Sequence, residues 1–222
     1  MKTLMTNLSE AVAWLRDLAS RISVRGERQP IADFAALCYF VRTRSALVTQ
    51  KKLYGYLKER MGLSYPRVFE DDEMVASINI AKMHVFAAGL SDLTIHSIGQ
   101  ISRTGGLDPE MRVSMACDCY RRGIEEFRDQ APDDGAVEGW LADFERRVND
   151  THWENLAAGA SPFTASPKAL VRWAPIADEH KKYDVEIVEN SIRFAWNEVR
   201  QDLRARLDGP SVAADYAAGT RH

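Results

Sequence analysis

The chain of 222 residues predicts an all-α fold: an elongated bundle of about six helices around one central apolar helix, about 71–100. Three observations carry that prediction. The stretch from Asp71 to Gln100 is apolar on nearly every side, with Met74, Val75, Ile78, Ile80, Met83, Val85, Phe86, Leu90, Leu93, Ile95 and Ile98 leaving no wide polar face. A helix of that kind belongs at the centre of a structure, whereas a surface helix shows one apolar stripe. Elsewhere apolar residues recur at spacings of three and four, and no convincing alternating run announces a strand. Between these stretches stand short Gly-, Pro- and Asp-rich breaks.

Each element has its own signal. A first helix is expected over about Asn7–Ile22, with Leu8, Val12, Leu15, Leu18 and Ile22 on one face. Gly26 and Pro30 then break the chain. The second helix starts near Pro30, a good first-turn residue, and runs to Met61, where Gly62 supplies a C-terminal cap. Its apolar face includes Phe34, Leu37, Val41, Val48, Leu53 and Leu57, and its polar face is basic. The acidic run Glu70–Glu73 opens the central helix, where carboxylates favour the positive end of the helix dipole. The second and central helices each approach the roughly 44 Å diameter of a compact domain of this size, which makes the bundle elongated.

A fourth helix follows from Pro109 to about Asp129, with Asp108 as N-cap. A fifth ends near Leu156 after placing Val137, Trp140, Leu141, Phe144 and Val148 inward. Residues 158–176 show no clear period and predict an irregular strap, either a lid or a plain connection. Pro175 opens a last helix that ends at Asp208, acidic at its start and rich in arginine at its finish. Val185, Val188, Ile192, Ala195 and Val199 form its main stripe, and Ile187 and Phe194 a second, narrower one. A helix with two apolar sides calls for two neighbours, one of which can be another subunit. Residues 1–208 thus form a single helical domain, and 209–222 a flexible tail.

Composition narrows the function classes. A hydrophobic fraction of 45% and a charged fraction of 27% are those of an ordinary soluble globular protein. The longest uncharged apolar stretch, Val85–Ser91, falls short of the roughly 20 residues that span a bilayer. Glu10 and Asp17 interrupt what would be the apolar region of a signal peptide. Three cysteines, Cys38, Cys117 and Cys119, form no paired framework, which suggests reduced thiols and a cytoplasmic protein. The net charge of −3 hides an asymmetry: Met1–Glu70 holds 12 Lys or Arg against 6 Asp or Glu, a balance of +6, leaving −9 for the rest. Within that basic third, Arg42, Arg44, Lys51 and Lys52 form a candidate partner-binding face, although a solvated helix face explains such a run more often.

Chemistry-bearing motifs are sparse. No histidine has an acidic residue three positions before it, so the Glu-x-x-His pattern of di-iron bundles is absent. A weaker pattern remains. Asp92 and His96 are four apart on the central helix, and His180 and Asp184 are four apart on the last, each pair on one helix face. If those helices met there, with His84 as a further contributor, the side chains would suit a divalent metal or a small molecule. A carboxylate hydrogen-bonded to its neighbouring histidine is the plainer alternative. No nucleophile elbow, Cys-x-x-Cys or phosphate-binding loop occurs. SRTGG at 102–106 reads more readily as an interhelical turn than as an anion cradle. LKERMGLSYPRVF resembles the turn of a helix-turn-helix, with Gly62 at the turn, Ser64 as cap and Val68 buried, but it runs straight into four carboxylates that would repel DNA.

The expected function is therefore non-catalytic: a cytoplasmic helical protein that self-associates as a homodimer and binds a partner protein, with no cofactor, no membrane and no nucleic acid. A metal- or small-molecule-dependent enzyme with its site between the central and last helices is the first alternative. A helix-turn-helix DNA-binding regulator is the second.

Overall fold

The computed structural model describes residues 29–157 and 161–219. Eight α-helices are present among them: α1 (Phe34–Met61), α2 (Asp72–Gly105), α3 (Pro109–Glu125), α4 (Ala136–Asn149), α5 (Trp153–Ala157), α6 (Ala165–Trp173), α7 (Asp178–Arg206) and α8 (Gly209–Gly219). Two 3-10 turns, Gly62–Glu70 and Arg128–Gln130, join them, and no strand appears among the described residues. The helix expected over Asn7–Ile22 lies outside the described residues.

Local chemistry sets most boundaries. Asp33 caps α1 by accepting a 2.7 Å hydrogen bond from the Ala36 amide, so the helix begins after Pro30 rather than at it. Gly62 ends it with φ 51°, a backbone conformation that a side chain would strain. Asp71 caps α2 through the amides of Glu73 and Met74 at 3.0 and 3.1 Å. Asp108 caps α3 through the Met111 amide at 2.9 Å, with Pro109 in the first turn. The central helix continues five residues past Gln100, until Gly106 turns left-handed at φ 66°.

α2 is the core of the molecule. Between Ala81 and Gly99 every residue is buried except His84 and Ala88. Helices α1, α3, α6 and α8 all pack on it. By length and composition α2 is apolar enough to cross a membrane, but its central stretch is enclosed by the other helices, as in a core helix. Its first two turns are mostly exposed. The apolar pattern there, including half-exposed Ile80, overstates how much of the helix is covered.

Two expectations about the second half are corrected. The strap over 158–176 contains α6, which buries Ser166, Pro167 and Leu170 and packs against both α2 and α7. Among the described residues of that stretch, 165–173 are therefore a packed helix rather than an irregular connection. The tail expected to be flexible from 209 is instead largely helical: α8 buries Gly209, Val212, Ala213 and Tyr216 against the rest of the fold. The contact is close because both sides are glycine. A Cβ on Gly105 would sit 2.9 Å from the Gly209 carbonyl oxygen and 3.0 Å from the Ala213 Cβ. The Asp215 carboxylate also accepts a 2.9 Å hydrogen bond from the Phe34 amide, tying α8 to the start of α1.

Candidate functional site

Asp92 sits at the middle of α2 with no exposure at all. A bare carboxylate there would be prohibitively costly, and it is in fact saturated. It accepts hydrogen bonds from the Ala165 amide at 3.1 Å, the Ser166 amide at 2.8 Å, the Ser166 hydroxyl at 2.6 Å and the Arg147 guanidinium at 2.7 Å. Asp92 therefore does for α6 what an N-cap residue does locally, satisfying its first free amides with a full negative charge at the positive end of the dipole. Ser166 passes the chain on by accepting from the Trp196 indole N–H of α7 at 3.0 Å. Arg147 also donates to Ser91 at 2.6 Å and to the Pro162 carbonyl at 2.7 Å. Asp92 is a structural keystone joining α2, α4, α6 and α7.

That arrangement takes Asp92 away from the metal role. Asp92 is committed to α4 and α6 and Asp184 to α1, so the two His/Asp pairs do not meet. Asp184 is engaged by α1, forming a bidentate ion pair with Arg60 and accepting from the Tyr56 hydroxyl at 2.8 Å. Those partners hold the Asp184 carboxyl below the usual carboxylate range, the Arg60 hydrogen bonds most of all. His180 is exposed. His96 is buried beside Phe163, with its Nε2 lacking a hydrogen-bond partner. Burial, and then the charges of Arg200 and Arg204, push His96 down to about 4, so it is neutral at pH 7. Among the described residues no three His, Cys, Asp or Glu side chains gather as a metal would require.

His84 has a different fate. Its ring stacks on Trp173 with centroids 3.5 Å apart, and its Nδ1 accepts from the Trp140 indole N–H at 3.2 Å. Burial, helped by the charge of Arg172, lowers its pKa.

The basic face of α1 does not form as expected. Arg44 is buried, with its Nε and Nη2 donating to Asp202 at 3.1 and 2.9 Å and its guanidinium over the Phe40 ring. It ties α1 to α7 instead of meeting a partner. Arg42 pairs with Glu126 at 2.8 Å, and Lys52 donates to Ser191 at 2.9 Å. Lys51 alone of the four is plainly exposed. The helix-turn-helix reading also loses its second helix. Residues 62–70 form a 3-10 turn with Pro66 inside and no buried residue, and Leu63 is fully exposed. A recognition helix needs a packed inner face.

The surface feature that remains is on α7. Tyr183, Ile187 and Phe194 are each at least 70% exposed. With Asn190 they stand at spacings of four, three and four, one narrow stripe along the outside of the helix. The opposite side of α7, through Val188, Ile192, Ala195, Trp196, Val199 and Leu203, is buried in the bundle. One flank of the outer stripe carries Glu179 and Glu186 along its N-terminal half and Arg193 and Arg204 along its C-terminal half, Arg193 also pairing with Glu189 at 2.6 Å and donating to Asn190 at 3.1 Å within the helix. Comparison with known proteins finds no matching family model, no similar curated protein and no similar solved structure.

Proposed function

We propose that the protein is a non-catalytic cytoplasmic helical protein whose copies pair through the outer face of α7, the pair then engaging a partner protein. The observation that carries this is the Tyr183–Ile187–Phe194 stripe: three large apolar side chains in register along one helix, all left in water. Contiguous apolar surface of this kind marks interaction sites, whereas scattered exposed residues do not.

A second copy of the same helix is the occupant that the charges favour. A two-fold axis across α7 sets two copies antiparallel, and in that arrangement each flank faces its own copy. Glu179 and Glu186 then oppose the partner's Arg204 and the partner's Arg193. Tyr183 meets the partner's Phe194, and Asn190 falls near the axis, where one polar residue in an apolar seam fixes register. A parallel two-fold pair would set this flank against the opposite flank of its copy and lose these charge matches. Buried thiols at Cys38 and Cys119 suit a reducing compartment.

A seam of one helix per partner is at the small end of interfaces, so the pair should dissociate on dilution. Sedimentation velocity across a concentration series tests this. Wild type should shift from monomer to dimer, and Ile187→Glu/Phe194→Glu should remain monomeric with an unchanged helical circular dichroism spectrum. Equal association by both proteins would refute the role of the stripe.

A further inference from the structure

The two breaks in the burial of the central helix, His84 and Ala88, are one turn apart and open into the same place. It is a cleft of about 480 Å³ between α2, α4 and α6, and none of the α7 stripe residues lines it. Its size lies within the range of small-molecule sites. The floor is small, with Ala87 and Ala88 of α2 and Ala165 and Ala169 of α6, which is what leaves the space. The walls are aromatic. Trp173 and His84 are stacked, Trp140 stands edge-on to His84 at 5.3 Å, and the hydrogen bond from Trp140 locks the imidazole in place. The His84 stack covers one face of Trp173 and the Arg172 guanidinium lies over that ring at 5.2 Å, so the pair is a fixed wall of the cleft and an incoming ring has the alanine floor to lie on.

The electrostatics of the lining are one-sided. Lys168 and Arg172, one turn apart on α6, reach the cleft from its rim, and neither has a carboxylate partner among the described residues. Inside, burial lowers the His84 pKa most, with the charge of Arg172 adding to it and that of Asp133 opposing it. Deeper in, Arg147 is held rigidly by Asp92, Ser91 and Pro162. Asp143 is the carboxylate among the described lining residues, and it is turned to Arg146 at 3.1 Å. Two cations without a carboxylate partner, Arg172 resting on the Trp173 ring, stand at the rim of an apolar, aromatic-walled cleft and select a negatively charged group attached to a flat ring.

We propose that this cleft binds a small planar aromatic carboxylate, its ring on the alanine floor beside Trp140 and its carboxylate on Lys168 and Arg172. The binding is independent of pairing through α7. Two probes test it on the full chain, indole-3-acetate and 2-naphthoate, with indole-3-acetamide and 2-naphthamide as neutral matches. The readout is the indole N–H signal of Trp140 in a proton–nitrogen correlation spectrum, assigned with Trp140→Phe. Each acid should give a saturable shift. The neutral amides, and the acids added to Lys168→Glu/Arg172→Glu, should bind at least about tenfold more weakly, the scale of one charge-assisted hydrogen bond. Both substituted side chains are exposed, so the fold should persist, and an unchanged set of the other tryptophan signals checks it. No shift with either acid up to about 1 mM would overturn the site. Equal binding of acid and amide, or equal binding by the charge-reversed variant, would overturn its recognition of an anion.

Discussion

Replacing Asp92 with alanine should be among the most damaging single changes in this molecule. The side chain is fully buried and accepts from two backbone amides of α6 at 3.1 Å or less, from the Ser166 hydroxyl and from Arg147. Loss of an N-cap costs about 1 kcal/mol. Breaking a buried ion pair from one side costs about 3–5 kcal/mol, because the surviving charge stays desolvated. Arg147 is one-quarter exposed and keeps Ser91 and Pro162, which favours the low end of that range. The two contributions overlap, and together they come to about 4 kcal/mol. That is a large share of the roughly 5–15 kcal/mol that holds a domain folded. At about 2–4 °C per kcal/mol for this size, the melting midpoint should fall by about 8–16 °C. Asp92→Asn keeps the shape and one acceptor and should cost about half as much. Urea unfolding followed by far-ultraviolet circular dichroism measures both. In a double-mutant cycle, Arg147→Met should cost much less in the Asp92→Ala background than in wild type. A loss below about 1 kcal/mol for Asp92→Ala, or strictly additive effects, would refute the keystone role.

Other consequences are narrower. His96 is held neutral, with its pKa pushed down to about 4 in the fold against about 6.5 in the unfolded chain. Between those values the unfolded chain binds more protons, so the stability conferred is present above about pH 6.5 and is lost as pH falls towards 4. Urea melts should show wild type losing about 2 kcal/mol more than His96→Leu between pH 7 and pH 5; parallel losses would count against it. Gly105→Ala improves helix propensity by about 1 kcal/mol but drives its Cβ into the Gly209 carbonyl, so α8 must move. A net loss of about 1–2 kcal/mol and faster proteolysis within α8 are expected, and a stabilised protein would show that the approach is looser than described. Trp196→Phe keeps a ring in the core but strands the Ser166 end of the network, and should cost about 1–2 kcal/mol by urea titration; an unchanged midpoint would remove α7 from the network.

What was legible in the residues follows the range of the interactions involved. The cap at Asp108, Pro109 in the first turn of α3, the acidic opening of α2 and the stop at Gly62 are local chemistry, and all were readable in order; the structure narrows the acidic opening to a cap at Asp71. So was the burial of the central helix, because an apolar residue on every side has only one stable environment. α6 was not readable. It has nine residues, too few for a clear period, and its cap comes from Asp92, 73 positions before the Ala165 amide that it satisfies. α8 is built from small residues and reads as a tail until Gly105 and Gly209 are seen to meet. Arg44 looks like any solvated arginine on a helix, because its partner Asp202 is 158 positions away. His84, Asp92, His96, His180 and Asp184 were picked out as chemistry-bearing types, but His84 is held by Trp140, Asp92 by Arg147 and Ser166, and Asp184 by Arg60 and Tyr56, all on other helices, while His96 is buried beside Phe163 and His180 is exposed. Spacing along one helix says which residues share a face and nothing of what covers that face.

The outer stripe of α7 is where the proposed role stands or falls. Asn190→Cys places a thiol on that stripe close to the proposed two-fold axis. Treating this variant with a short bismaleimide, at a concentration where the protein is associated, is the most direct test. Antiparallel pairing through α7 predicts a covalent dimer in high yield for Asn190→Cys and little for Glu138→Cys on α4. No covalent dimer beyond that control would contradict pairing through α7.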